Sequence, residues 1–235
     1  MNCYTDAARL LIAVDCIIFG FDGTALKLLL VKRGIEPEKG KWSLIGGFTQ
    51  NGEDCETAAN RVLKSYTGLN GVYLEQLLTF SAPARDPLER TISVAYFALI
   101  DIHKYEKSLS TDFNAECFEL HKIPKLIFDH PKMVALAKER LRYKAALHPV
   151  LFELLPEKFT LPQLQTLYEG IYGTPLDKRN FSRKIISTGL LIKQNDKEKW
   201  SSKKGAFFYK LDKKKYRGKL GAFVNIIPNA HKLIG

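Results

Sequence analysis

The sequence predicts a mixed α/β domain followed by a smaller domain of helices and a β-hairpin. Residues 1–148 combine apolar strands with helically spaced segments, whereas residues 149–235 hold two capped helices and then two short strands. The charge divides at the same point. The first segment has 19 Lys and Arg against 18 Asp and Glu, and the second has 17 against 7, a net charge of +10. We therefore predict a domain boundary between His148 and Pro149.

The first domain is predicted to open with a hairpin, because apolar runs at 10–21 and 26–32 flank the turn dipeptide Asp22-Gly23. A helically spaced segment ends at Gly68, a residue typical of helix C-termini. The other elements are predicted as strands at 42–48, 72–80 and 91–102 and helices at 53–67 and 131–146, the last with a proline near its start and basic residues near its end.

The second domain shows clear helix caps. Thr160 and Gln163 have the spacing of a capping box, and Asp177 is placed to cap a second helix that Gly189 stops. Strand-like runs at 190–194 and 206–211 follow. Helix, turn, helix and hairpin is the order of a winged helix-turn-helix.

The basic charge indicates that this second domain binds a polyanion, with a solubilising surface as the alternative. On a helix that turns about 100° per residue, Phe181 and Ile185 share one side and Arg179 and Arg183 the other. Arg and Asn are residue types that bind base edges, and Lys and Ser bind phosphates. We predict that duplex DNA is contacted by the following residues of the second helix and the wing: Lys178, Arg179, Asn180, Ser182, Arg183, Lys184, Lys203 and Lys204. For the wing lysines, a solvated hairpin tip is the alternative interpretation.

The composition is that of a soluble globular protein, with 46% hydrophobic and 26% charged residues and no apolar stretch near 20 residues. The run 10–21 contains Asp15 and lacks a basic leader, so we expect a buried strand, no secretory signal and a cytoplasmic location. The four cysteines are expected to be free thiols. His121 and His130 have no Cys companions and are expected at surface or capping positions, so no metal and no cofactor are predicted.

The segment from Gly47 to Leu69 resembles the Nudix box, a motif of diphosphate hydrolases. Its fixed positions are occupied by Gly47, Glu53, Arg61, Leu63, Gly68 and Leu69. The positions of the three metal-binding glutamates hold Val62, Ser65 and Tyr66, which cannot bind Mg²⁺. We therefore expect no enzymatic activity and no catalytic residues, and interpret Glu53 with Arg61 as a loop-to-helix ion pair.

A damaged Nudix box joined to a basic winged helix resembles the Nudix-related transcription regulators. The segments 85–96 and 176–181 are similar to that family's pocket loop and recognition helix. The resemblance implies a Nudix-like α/β/α sandwich that senses an effector, and a homodimer that binds a palindromic operator. Known branches respond to ADP-ribose or to sugars, and this chain looks closer to the branch responding to L-arabinose. We expect a repressor released by that sugar, with ADP-ribose as the alternative effector.

A sugar pocket needs hydroxyl donors, acceptors and an aromatic wall. We predict Lys32, Arg33, Arg85 and Arg90 as donors, Asp86 and Glu89 as acceptors, and Trp42 and Phe48 as ring faces. Surface ion pairs and core packing are the competing interpretations of these residues.

Two other functions remain open. A hydrolase would use Glu53, Asp54 and Glu56 as an improvised metal site. A general RNA-binding protein is the other alternative, but the sequence lacks aromatic stacking motifs.

Overall fold

A mixed seven-stranded β-sheet forms the centre of the first domain. The structure, a computed structural model, describes residues 7–105, 115–199 and 205–216. The longest strand, β1 (Leu11–Phe21), pairs in parallel with β6 (Thr91–Asp101) and antiparallel with β2 (Leu26–Lys32). The other strands are β3 (Trp42–Ser43), β4 (Ile45–Phe48), β5 (Glu75–Phe80) and β7 (Ala115–Glu119).

Helices cover both faces of this sheet, because β1 is apolar on both of its sides. Ile17 and Phe19 pack on one face with α3 (His130–Leu147), whereas Cys16 and Ile18 pack on the other with α1 (Cys55–Thr67). Alternate residues of a strand point to opposite faces, so the continuous apolar run serves two cores. This is the α/β/α sandwich that the resemblance implied.

Three elements of the first domain differ from the sequence expectations, the first being the strand predicted at 72–80, which begins only at Glu75. The strand predicted at 42–48 is divided at Leu44 into β3 and β4, because the Leu44 amide bonds to a side chain of α3. β7, which follows the short helix α2 (Ile102–Tyr105), was not predicted. Its half-buried side chains lack a clear period of two.

The second domain is a winged helix. It contains β8 (Phe159–Thr160), α4 (Leu161–Tyr172), α5 (Lys178–Ser187), β9 (Leu191–Glu198), β10 (Ala206–Leu211) and α6 (Lys213–Tyr216). The predicted capping box at Thr160 and Gln163 is confirmed, and so is the Asp177 cap, whose carboxylate accepts from the Asn180 amide at 2.8 Å. The strand order is β8-β10-β9.

The two domains share one hydrophobic core, which runs from β1 and α3 into α4 and α5. Arg142 near the end of α3 donates its Nε–H to the Ile171 carbonyl at 2.8 Å, and the Tyr172 hydroxyl donates to the Arg142 carbonyl at 2.8 Å. The end of α3 is therefore bonded directly to the end of α4.

Cys16, Cys55 and Cys117 are free thiols, as expected, and Cys3 lies outside the described residues. Among the residues described, no helix is both long and apolar enough to span a bilayer.

Candidate functional site

A cavity of about 320 Å³ opens beside β1 in the first domain. The loop after β2, strand β4, helix α1 and the beginning of α3 surround it. Its polar lining includes Asp15, Arg33, Arg61, Arg85, Asp86 and His130. Its volume falls at the lower end of the range of small-molecule pockets.

The structure brings four of the eight predicted effector residues to this cavity: Arg33, Phe48, Arg85 and Asp86. It does not bring the other four, which are Lys32, Trp42, Glu89 and Arg90.

Local geometry explains why these four side chains lie elsewhere. Lys32 Nζ lies 5.2 Å from the ring centroid of Trp42, whose ring packs edge-on against Phe118 beside the hydrophobic core under α3. Arg90 Nη1 donates to the Ala82 carbonyl at 3.2 Å, and Glu89 is exposed. Consecutive residues in extended backbone point in opposite directions, so Arg33 lines the cavity and Lys32 does not.

The cavity floor is a cluster of buried polar side chains centred on Asp15. Ser93 Oγ donates to Asp15 Oδ2 at 2.5 Å, and Arg85 Nη2 lies 3.6 Å from the same oxygen. Arg85 also forms a bidentate pair with Asp129, through Nε at 3.1 Å and Nη2 at 2.9 Å. The Arg85 guanidinium therefore compensates the buried carboxylate of Asp15 and the partly exposed carboxylate of Asp129.

His130, the first residue of α3, completes the floor and is buried, so its predicted surface or capping position is wrong. Its Nδ1 accepts the Leu44 amide at 3.1 Å. A backbone N–H can only donate, so Nδ1 carries no proton and the neutral ring holds its proton on Nε2. Burial lowers the pKa of His130 below its ordinary value, an effect that Asp15 and Asp129 oppose.

We expect the lowered pKa of His130 to make the fold less stable in mild acid. His130 binds a proton near pH 6.5 in the unfolded chain and only at lower pH in the folded chain. The contribution of neutral His130 to the free energy of unfolding is therefore complete above about pH 6.5 and is lost as the pH falls. The maximum slope is about 1.4 kcal/mol per pH unit. In urea titrations between pH 7 and 5, His130→Asn should flatten this slope while keeping an acceptor for Leu44. The exposed-site control His121→Asn should keep the slope, and an unchanged slope in His130→Asn would exclude this origin.

Helix α5 presents a basic surface on the second domain. Phe181 and Ile185 are buried as predicted. The exposed face carries Arg183 Nη2, which donates to Asn180 Oδ1 at 2.6 Å. Of the other predicted DNA-binding residues, Lys178 and Arg179 are exposed, Ser182 and Lys184 are half-buried, and Lys203 and Lys204 lie outside the described residues.

Comparison with known proteins agrees with this architecture. A family model described as the NrtR DNA-binding winged helix domain matches residues 151–211, and a NUDIX domain model matches residues 9–137. The chain is 34% identical over 204 residues to the "ADPR responsive transcriptional repressor NtrR" of Acinetobacter baylyi, a match covering 85% of this chain and 81% of that protein. The chain belongs to the NrtR family.

Two further similarities cover most of this NrtR-type chain and about half of it, respectively. The crystal structure of Shewanella oneidensis NrtR complexed with a 27mer DNA matches 89% of this chain and 96% of that chain, with 31% identity and a TM-score of 0.74. An ADP-ribose pyrophosphatase of Methanocaldococcus jannaschii is 39% identical over 119 residues, which are 50% of this chain and 68% of the archaeal protein.

The Nudix box of this NrtR-type chain has the expected ion pair. Arg61 contacts Glu53 through Nε at 3.0 Å and Nη2 at 2.5 Å, and also donates to the Phe48 carbonyl. Both partners are therefore engaged in holding the loop before α1 against β4.

The three substituted positions of the box do not fit a metal ion. Val62 packs in the core against Gly47, Tyr66 lines the cavity, and the Ser65 hydroxyl donates to the Val62 carbonyl. Within residues 7–105, 115–199 and 205–216, no three Asp, Glu, His or Cys side chains are grouped to hold a metal. The improvised site at Glu53, Asp54 and Glu56 is not formed, because Glu53 binds Arg61 and Asp54 caps α1.

The NrtR-type wing carries two ordered lysines, Lys193 and Lys197. Their Nζ atoms lie 3.7 and 4.3 Å from the ring centroid of Phe207. A ring face attracts ammonium groups, so Phe207 holds both cations on one side of the hairpin. Lys213, Lys214 and Lys215 lie exposed in α6.

Of the polar residues of the cavity floor, the sequence identified only Arg85 as a candidate. Asp15 was visible as the one charged residue in a long apolar run, a pattern that indicates a special role for a buried group. Ser93, Asp129 and His130 carry no comparable pattern, since each has an ordinary local sequence.

Proposed function

We propose that this NrtR-type regulator is a homodimeric repressor that binds a palindromic operator and releases it when ADP-ribose enters the cavity. The observation that carries this proposal is the 34% identity, over 85% of the chain, to a repressor named as responsive to ADP-ribose. The cavity beside β1 is the candidate effector site, and α5 with the wing is the candidate DNA surface.

The cavity suits a diphosphate because the guanidinium of Arg33 lines it and is held in place by backbone carbonyls. Its Nε donates to the carbonyls of Ile35 and Pro37, at 3.1 and 2.6 Å. Its guanidinium carbon lies 5.1 Å from the ring centroid of Phe128, which holds a left-handed backbone with φ of 47°. Among the described residues Arg33 forms no ion pair, so its two terminal nitrogens are left to bind phosphate oxygens.

ADP-ribose, the alternative effector expected from the sequence, replaces L-arabinose here. The two curated relatives described above are both named for ADP-ribose, and neither is named for a sugar. A free pentose has no charge for Arg33 to neutralise, so the cation also favours the phosphorylated ligand.

The test is a mobility-shift titration on duplexes from the regulator's own promoter region. We expect a specific shift that ADP-ribose reverses and ADP or L-arabinose does not, since a ligand must bind the two states differently to release DNA. Absence of a specific shift at moderate salt, or competition by RNA equal to that by duplex DNA, would contradict the proposal. Reversal by L-arabinose alone would restore the sugar as effector.

We also propose that the Nudix domain binds ADP-ribose without hydrolysing it. Val62, Ser65 and Tyr66 stand where a diphosphate hydrolase needs metal-binding carboxylates. With Mg²⁺ and ADP-ribose, we expect no release of AMP and ribose 5-phosphate above the rate of ligand alone. Product formation proportional to protein concentration would instead support the hydrolase.

Replacing Arg33 with glutamine is expected to weaken ADP-ribose binding about tenfold, because a charge-assisted bond to phosphate is lost. The measurement is calorimetric titration of the full chain. Lys32→Gln removes the same charge one residue away, on a side chain that points to Trp42, and should leave the affinity within about twofold. Equal losses in both variants would assign the effect to general charge.

A further inference from the structure

Two polar atoms on the cavity floor face each other without bonding. Asp15 Oδ1 lies 3.6 Å from His130 Nε2, which is too long for a hydrogen bond. Asp15 is 6% exposed and His130 is 3% exposed. Within the described part of the chain, neither of these two atoms has a hydrogen-bond partner.

Both atoms open into the cavity. Among the described residues, every side-chain nitrogen or oxygen that is fully enclosed has a hydrogen-bond partner. Asp15 Oδ1 and His130 Nε2 have no partner, so they are not fully enclosed, and both residues line the cavity. Gly46 maintains this opening, because a Cβ atom at that position would collide with Asp15 Oδ1. A buried carboxylate with one unsatisfied oxygen is costly unless a ligand completes its hydrogen bonds.

The surrounding contacts fix what each atom offers. The Ser93 hydroxyl occupies Asp15 Oδ2, which leaves Oδ1 as an acceptor. The Leu44 amide occupies His130 Nδ1, which leaves the proton on Nε2 as a donor. An acceptor and a donor at this separation match one hydroxyl group, whose oxygen can sit about 2.7 Å from Oδ1 and about 2.9 Å from Nε2.

Other ligand groups match this pair poorly. A phosphate or carboxylate oxygen can accept from His130 but meets the negative charge of Asp15, and an ammonium group cannot accept from His130. Arg33, the cation suited to phosphate, projects from the loop after β2 and not from the floor. The cavity therefore separates a hydroxyl-binding floor from a phosphate-binding wall.

We propose that Asp15 and His130 bind a pentose hydroxyl of the effector, and that this is the terminal ribose when the effector is ADP-ribose. The inference rests on the proposed effector role of the cavity and names the group that is recognised there. The same chemistry would hold a free pentose, so the test includes both sources.

The experiment is calorimetric titration of the full chain with ADP-ribose, ADP and L-arabinose. His130→Asn keeps an acceptor for the Leu44 amide and removes the Nε2 donor, whereas Asp15→Asn keeps the acceptor for Ser93 and replaces the carboxylate oxygen by an amide. Each variant should weaken ADP-ribose binding about 10- to 100-fold and ADP binding less than about twofold. Ser65→Ala, on the exposed face of α1, is the control and should match the wild type. Operator binding without ligand checks that each variant is folded.

The outcomes separate this inference from the proposed function. The inference is overturned if the wild type binds ADP-ribose tightly and both folded variants retain that affinity. It is also overturned if the variants lose as much affinity for ADP as for ADP-ribose. In either case ADP-ribose remains the proposed effector. Binding of L-arabinose alone, weakened in the variants, supports the hydroxyl site and overturns ADP-ribose. If the wild type binds none of the three, both proposals fail. Should Asp15→Asn not fold, His130→Asn decides alone.

Discussion

Replacing Arg85 with methionine is expected to lower the free energy of unfolding by about 3–5 kcal/mol. Methionine fills a similar volume, but it leaves Asp129 without its bidentate partner and Asp15 without its nearest guanidinium. The Arg85 side chain is only 5% exposed, so both carboxylates lose a largely buried cation. The loss would appear as a lower midpoint in urea denaturation, with the slope unchanged.

Two further variants make this stability prediction specific. Arg90→Met removes an exposed guanidinium five residues away and should change the stability by no more than about 0.5 kcal/mol. The double variant Arg85→Met/Asp129→Asn removes one of the stranded charges and should recover part of the loss. A loss below about 1 kcal/mol in Arg85→Met would mean that the ion pair does not stabilise the floor.

Replacing Arg183 with alanine is expected to weaken operator binding about 5- to 150-fold and to relax specificity at one base pair. Arg183 lies on the exposed face of α5, away from the buried Phe181 and Ile185, and its guanidinium donates to Asn180 Oδ1. Binding to a non-specific duplex should fall much less, because that binding depends on phosphate contacts. Fluorescence anisotropy on operator and scrambled duplexes at one salt concentration measures both.

Arg140→Ala is the matched control for Arg183, since it removes the same charge from an exposed position on α3. We expect its operator affinity to stay within about twofold of the wild type. If Arg183→Ala weakened operator and scrambled duplexes by the same factor, the assignment of α5 as the base-contacting helix would be wrong.

Local chemistry accounts for what could be predicted from the sequence. The caps at Thr160 and Asp177 act within three residues, and the buried side of α5 follows from the period of the helix. The direction of the arginines of α5 was therefore predictable from Phe181 and Ile185, which fix the buried side of the helix.

Apart from Arg85, the cavity floor could not be predicted, because it depends on pairing between distant segments. Parallel pairing of β1 with β6 sets Asp15 beside Ser93, and α3 brings in His130 from 115 positions along the chain. Lys32, which was predicted together with Arg33, lies outside the cavity for a similar reason. Arg33 and Lys32 have equal charge, and only the direction of the backbone decides which of them reaches the cavity.

Helix α3 connects the cavity floor to the winged helix as one continuous element. Its first residue, His130, lies in the cavity floor, and near its other end Arg142 is bonded to the end of α4. Arg142 lies twelve residues from His130, about 18 Å along the helix, so a tilt of about 5° at the floor would displace it by about 1.6 Å. We expect such a tilt to reach the winged helix through the bonds that Arg142 forms with α4, without any contact between the winged helix and the cavity.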